Sequence, residues 1–287
     1  MKTLAKVVVS WFSFVVALVV SGIVIRMLHL PLPVVPGDAG PGLRFVLALV
    51  GAMILVIGLW PVARGISGAF GKRAIALVSF LLLAFGVNTL IEAATFTTLL
   101  QGKVVGAAIF YCLVALLLGV TLAALFGSAQ ELPRGDSDQR LRLLRRLTAA
   151  WFAFPLIYVG FGMCVAPIVM PYYRSIGFLH VPPMRTILVV QLVRSAIFLA
   201  CSLPLIALWR GTKIRLWFAL GLAHAVVVGL YGLSSSTALP TTLRVTHSVE
   251  ICADSFVYAW VLVRLFFANR TAQTAEPVQE KASAIPA

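Results

Sequence analysis

Nine acidic residues serve a chain of 287, and three of them, Glu92, Glu250 and Asp254, fall inside stretches otherwise made of Ala, Leu, Val, Ile and Phe. Other polar residues share those stretches: Asn88 and Thr95 beside Glu92, Gln191 with Arg194, His224 alone, and His247 next to Glu250. A charged side chain at the centre of an apolar helix costs about 2.5 to 3.5 kcal/mol on insertion scales, so such residues face one another or a wet cavity rather than lipid. At about 100° per residue, His247, Glu250, Asp254 and Tyr258 fall in an arc of about 80°, and Asn88, Glu92 and Thr95 in one of about 60°. Each helix therefore carries a single polar stripe.

Carboxylates and imidazoles in such stripes can take up and release protons and can hold cations. The candidate solute- or ion-binding set is Asn88, Glu92, Arg194, His224, His247, Glu250 and Asp254. His247 and Glu250 stand at i and i+3, a spacing that holds metals in helix bundles, and Glu92 and His224 are further candidate ligands. No residue is assigned a catalytic role and no cofactor is implied. A plainer reading competes with each. Arg194 and one carboxylate can form a structural ion pair, and His224, flanked by Gly221, Ala225 and Gly229, can hydrogen-bond across a close helix contact. Arg194 needs an anionic partner. Glu250 and Asp254 share a face and bracket its expected depth, which predicts that the eighth helix packs on the sixth with Arg194 between those two acids.

The elements that must position these residues follow from composition. The chain is 61% hydrophobic and 11% charged, far from the soluble norm of about 45 to 50% and about 25%. Eight apolar runs have spanning length: Val7 to Val24, Phe45 to Ala63, Ala74 to Thr97, Val104 to Phe126, Ala149 to Met170, Ile187 to Leu208, Leu216 to Leu233 and Val245 to Phe267. They stay apolar on all sides, unlike the alternating strands of a membrane barrel. The expected fold is an all-α bundle of about eight transmembrane helices. The first run, after a basic start, is longer than a signal-peptide core and reads as an uncleaved helix.

The net charge of +14 follows the membrane. With the N-terminus inside, 16 of the 23 basic residues fall on inner segments, six (Arg26, Arg44, Lys103, Arg174, Arg185 and Arg244) on outer ones, and Arg194 within a span. This positive-inside asymmetry places both termini on the cytoplasmic side of a cytoplasmic membrane, and gives no footprint for nucleic acid. Between the fourth and fifth runs, Arg140 to Arg146 alternate leucines and arginines at helical spacing, which suits a helix at the inner interface touching anionic lipid head groups.

Landmarks recur near an interval of 141: Trp11 and Phe12 with Trp151 and Phe152, Arg44 with Arg185, Arg73 with Arg215, Lys103 with Arg244. The expected organisation is a first four-helix half over 1–130, a cytoplasmic amphipathic linker over 131–147, a parallel second half over 148–267 and a disordered tail over 268–287. Pro155, Gly160, Gly162, Pro167 and Pro171 in the fifth run invite a broken helix, although membrane helices also tolerate such residues. The cysteines Cys112, Cys164, Cys201 and Cys252 stand singly inside runs, with no metal or disulfide spacing.

Glu92-Ala93-Ala94-Thr95-Phe96-Thr97 resembles the Glu-Glu-x-x-x-Arg motif of the CAAX-protease and bacteriocin-processing membrane family over about one helix. Ala93 and Thr97 replace the second Glu and the Arg, and Val114 stands where a histidine would follow, so the resemblance implies none of that family's chemistry here. Three function classes fit the sequence: a small-solute or proton-coupled transporter, an intramembrane enzyme with or without a metal, and a non-catalytic subunit of a larger membrane complex. No Walker A motif is present.

Overall fold

The computed structural model describes residues 2–34, 36–37, 39–129 and 140–267. The expected disordered tail, and residues 131–139 of the linker, lie outside these. Among the described residues there are eight helical rods and no strands: α1 (Thr3–Met27), α2 (Pro41–Gly65), α3 (Phe70–Phe96), α4 (Val104–Leu125), α5 (Arg140–Ser175), α6 (Met184–Leu208), α7 (Lys213–Ser235) and α8 (Thr241–Phe266). Seven are long and apolar enough to cross a membrane, α1 to α7. The eighth is equally long at 26 residues but carries Arg244, Glu250, Asp254 and Arg264, and it packs along α5 and α7. The protein is an all-α integral membrane bundle.

Helix boundaries follow local chemistry. Pro41 opens α2, where its missing N–H is not needed. Pro183 and Pro240 precede α6 and α8, and the Thr212 hydroxyl caps α7 by accepting from the Arg215 N–H. Gly127 ends the run after α4 with φ +82, a left-handed conformation that leaves the preceding Phe126 carbonyl free to accept from the buried Arg73 guanidinium.

One expectation about continuity is corrected. The Arg140 to Arg146 stretch is not a separate interfacial helix, because its leucines and arginines form the first turns of the 36-residue α5. Helix α5 runs on through Pro155, Pro167 and Pro171, the tolerance that membrane helices allow. Pro155 removes the partner of the Trp151 carbonyl four residues back, and the Ser195 hydroxyl of α6 takes its place at 2.6 Å, so the freed group stays satisfied and the helix continues. The departures from α geometry lie instead in α3 and α7, which carry π-helical segments at Leu81–Val87 and Val226–Leu230.

The packing repeats every four helices. Helix α1 lies against α4 as α5 lies against α8, α3 packs on α4 as α7 packs on α8, and the crossed contacts α2 with α7 and α6 with α3 join the two sets. Residue pairs obey the same rule at intervals of 140 to 143. The Trp11 indole donates to the Leu49 carbonyl at 3.0 Å, and the Trp151 indole to the Leu192 carbonyl at 2.8 Å. Ser67 N–H donates to Leu208 O at 2.8 Å and Arg210 N–H to Gly65 O at 2.7 Å, two bonds that interchange when 143 is added to one residue number of each pair and subtracted from the other. They flank an antiparallel bridge between Ile66 and Trp209. That bridge marks the end of the bundle bearing most of the basic residues, called here the basic end.

Candidate functional site

At the opposite end a cavity of 570 Å³ enters the bundle, walled by α3, α5, α6, α7 and α8 with Tyr111 of α4, and rimmed by Arg44 of α2 and the turns after α3, α5 and α7. Five of the candidate residues of the sequence line it: Glu92, Arg194, His247, Glu250 and Asp254. Asn88 lies directly behind, fully buried. His224 does not reach it. Its Nε2 meets the Ser202 hydroxyl at 3.1 Å among the rings of Phe80 and Phe198, the packing role that its flanking glycines suggest. A Cβ on Gly221 would stand 2.7 Å from the Phe256 ring and one on Gly229 2.2 Å from Ile251, so these glycines permit the close approach of α7 to α8.

The partner of Arg194 is not the one predicted. Its Nη2 meets Glu92 Oε1 at 2.5 Å, its Nε donates to Asn88 Oδ1 at 2.7 Å and its Nη1 to Gln191 Oε1 at 3.0 Å. The physical reason is the tilt of side chains toward the N-terminus of their own helix. Helix α6 begins at the cavity end, so Arg194 leans toward that end, whereas α3 finishes there, so Glu92 leans inward to meet it. Glu250 and Asp254 sit on α8, which begins at the same end as α6, and they lean the same way as Arg194 instead of converging on it. The guanidinium is further enclosed by the faces of Phe154, Tyr158 and Phe198, at 5.6, 5.5 and 5.7 Å from their ring centroids.

The helix α8 stripe is therefore left to itself. His247 Nδ1 and Glu250 Oε2 are 2.6 Å apart, with the Tyr173 hydroxyl 3.5 Å from His247 Nε2. Gly162 of α5 would carry its Cβ only 3.6 Å from Glu250 Oε1, so this glycine brings the α5 backbone against the carboxylate. Asp254 is 8% exposed and its Oδ1 has no hydrogen-bond partner among the described residues. His247 and Glu250, the candidate metal ligands, are joined to each other, and among the described residues no group of three His, Cys, Asp or Glu is placed to hold a metal. The cysteines are all free thiols.

Sequence reasoning missed the aromatic wall. Phe85, Tyr111, Phe154, Tyr158, Tyr173, Phe178 and Tyr231 line the cavity with Thr89 and Ser255. Aromatic residues occur on every face of these helices, so spacing does not single them out. The Pro- and Gly-containing stretch of α5 was the nearest signal, since it carries Tyr158 and Tyr173 on either side of Gly162.

The packing repeat sets two contacts of different chemistry side by side. Gly51 stands at the counterpart of Arg194, Tyr231 at that of Asn88 and Ser235 at that of Glu92. A Cβ on Gly51 would lie 3.3 Å from Ser235 and 3.4 Å from the Tyr231 ring, and Tyr231 stacks edge-on against Phe14 at 5.6 Å, so that contact between α2 and α7 is closed. In the equivalent contact between α6 and α3 a large ring is replaced by Asn88, and polar groups fill the space.

Comparison of the chain with protein-family models, with characterised proteins and with solved structures gives no match.

Proposed function

We propose that the protein is a small-solute transporter, with coupling to protons, of a cytoplasmic membrane. One observation carries the reading: a cavity open at one end of a membrane bundle holds three carboxylates and a histidine within helical spans. Charges at that depth are retained for ion or solute pathways, and the volume falls within the about 300 to 1,000 Å³ of small-molecule sites. In this reading the chain crosses eight times as two parallel four-helix halves, with the basic end and both termini cytoplasmic and the cavity facing outward. The π-helical segments of α3 and α7 flank the cavity and are the elements suited to give way during opening, because a π-turn weakens the regular ladder. The arginine-rich start of α5 lies at the basic end, where anionic head groups would meet it.

The His247–Glu250 pair supports a second reading, an intramembrane enzyme in which the carboxylate orients the imidazole as a general base. One experiment separates them. Protein reconstituted in liposomes with a pH-sensitive dye inside is given a panel of solutes across an imposed pH gradient. A transporter moves protons with a particular solute and leaves it chemically unchanged, whereas an enzyme alters it. Glu250→Gln, which keeps volume and removes the charge, should abolish the proton movement with thermal stability nearly intact. Equal loss of both would mark Glu250 as structural.

A further inference from the structure

The charges in the cavity are unequal. Its one fully enclosed cation, Arg194, is already satisfied by Glu92, Asn88 and Gln191 and covered by three aromatic faces. Arg44 at the rim turns its guanidinium onto the carbonyls of Gly37 and Ala39. On the acidic side Glu250 has a histidine, and Asp254 has an oxygen without a hydrogen-bond partner although it is more than nine-tenths buried on the cavity wall. Among the described residues, no cation free of a carboxylate partner lies beside Asp254 and Glu250, so an anionic solute seated there would face two carboxylates. A solute bearing one positive charge would give Asp254 the counter-charge that Arg194, paired with Glu92, does not, and its apolar part would lie on the rings of Phe85, Tyr111, Tyr158 and Phe178.

Resting on the transporter reading, we infer that the cavity takes a monovalent organic cation, an amine or quaternary onium with an apolar body, its charge set between Asp254 and Glu250. Binding of this kind needs both halves of the site: a buried carboxylate for the charge and aromatic faces for the body. Neutral sugars and free carboxylic acids match neither.

Two ions of nearly one shape and opposite charge test it. Tetraphenylphosphonium and tetraphenylborate are titrated into the intact purified protein in detergent, with binding followed by calorimetry. The phosphonium should bind saturably, the borate at least tenfold more weakly, and Asp254→Asn should weaken the phosphonium at least tenfold while the unfolding temperature is held or raised. Equal affinity for the two ions, or phosphonium affinity within twofold in a folded Asp254→Asn variant, would overturn the inference. Should that variant not fold, the comparison of the two ions on the unaltered protein decides alone. The outcome is separable from the transporter reading. Solute-dependent proton flux without phosphonium binding removes the cation class and leaves transport standing, and phosphonium binding without flux does the reverse.

Discussion

Arg194 and Asp254 are two buried charges in opposite circumstances, and their substitution should have opposite consequences. Arg194 has three polar partners and three rings. Removing it in Arg194→Leu strands Glu92, and because that carboxylate is 31% exposed on the cavity wall the loss should fall below the about 3 to 5 kcal/mol of breaking a fully buried pair. Adding Glu92→Gln should restore at least about 1 kcal/mol, because the stranded charge is then gone, and a double-mutant cycle read by chemical unfolding isolates that coupling. Strictly additive effects would disprove the pair. Asp254 has a carboxylate oxygen with no hydrogen bond, so Asp254→Asn relieves a desolvated charge and should leave unfolding unchanged or shifted upward. The polar stripe of α8 was legible because recurrence at three and four residues is visible in a sequence. The choice of Glu92 for Arg194 was not, since it depends on which helices are neighbours and on which way each side chain leans.

Helices themselves were legible because the membrane sets their length, and all eight predicted runs lie within the observed rods to within a few residues. Irregularities inside them were less so. Prolines drew attention to α5, yet Ser195 compensates the one at 155, while the π-turns of α3 and α7 have no proline to announce them. Glycine contacts give this scale its test. A Cβ on Gly119 of α4 would stand 2.9 Å from the backbone N and Cα of Val78 on α3, atoms that cannot swing aside, so Gly119→Ala should cost about 1 to 3 kcal/mol. Gly22→Ala in α1 meets nothing within 4 Å and should be neutral or stabilising by up to about 1 kcal/mol through helix propensity. Thermal unfolding of the two variants side by side decides, and equal shifts would show that α3 and α4 are not in such close contact.

For the molecule as a whole, reporter fusions after Lys103 and within 236–240 should sit outside the membrane and fusions near Gly127 or Arg210 inside, as the basic asymmetry requires. An outside reading at Arg210 would invert the bundle and turn the cavity inward. A cation held by Asp254 competes with protons for the same carboxylate. The groups lining the cavity with it are Glu250 and His247 from α8, Arg194 from α6, Glu92 from α3, Arg44 from α2, Tyr111 from α4, Tyr158 and Tyr173 from α5 and Tyr231 from α7. A proton on Asp254 removes the charge that holds the cation, so phosphonium affinity should fall as pH is lowered and binding should release protons to the buffer. Affinity independent of pH would place the cation elsewhere.

The antiparallel bridge at Ile66 and Trp209 has a consequence for how such a site can arise. Two separate identical subunits meeting across a twofold axis would carry the same residues at both of their mutual contacts, so an arginine in one would oblige an arginine in the other, and each would need its own acid. Joined in one chain, the two contacts answer to different codons. Gly51 with Tyr231 can then be kept close-packed while Arg194 with Asn88 becomes a polar contact behind the cavity, and selection on the second leaves the first undisturbed.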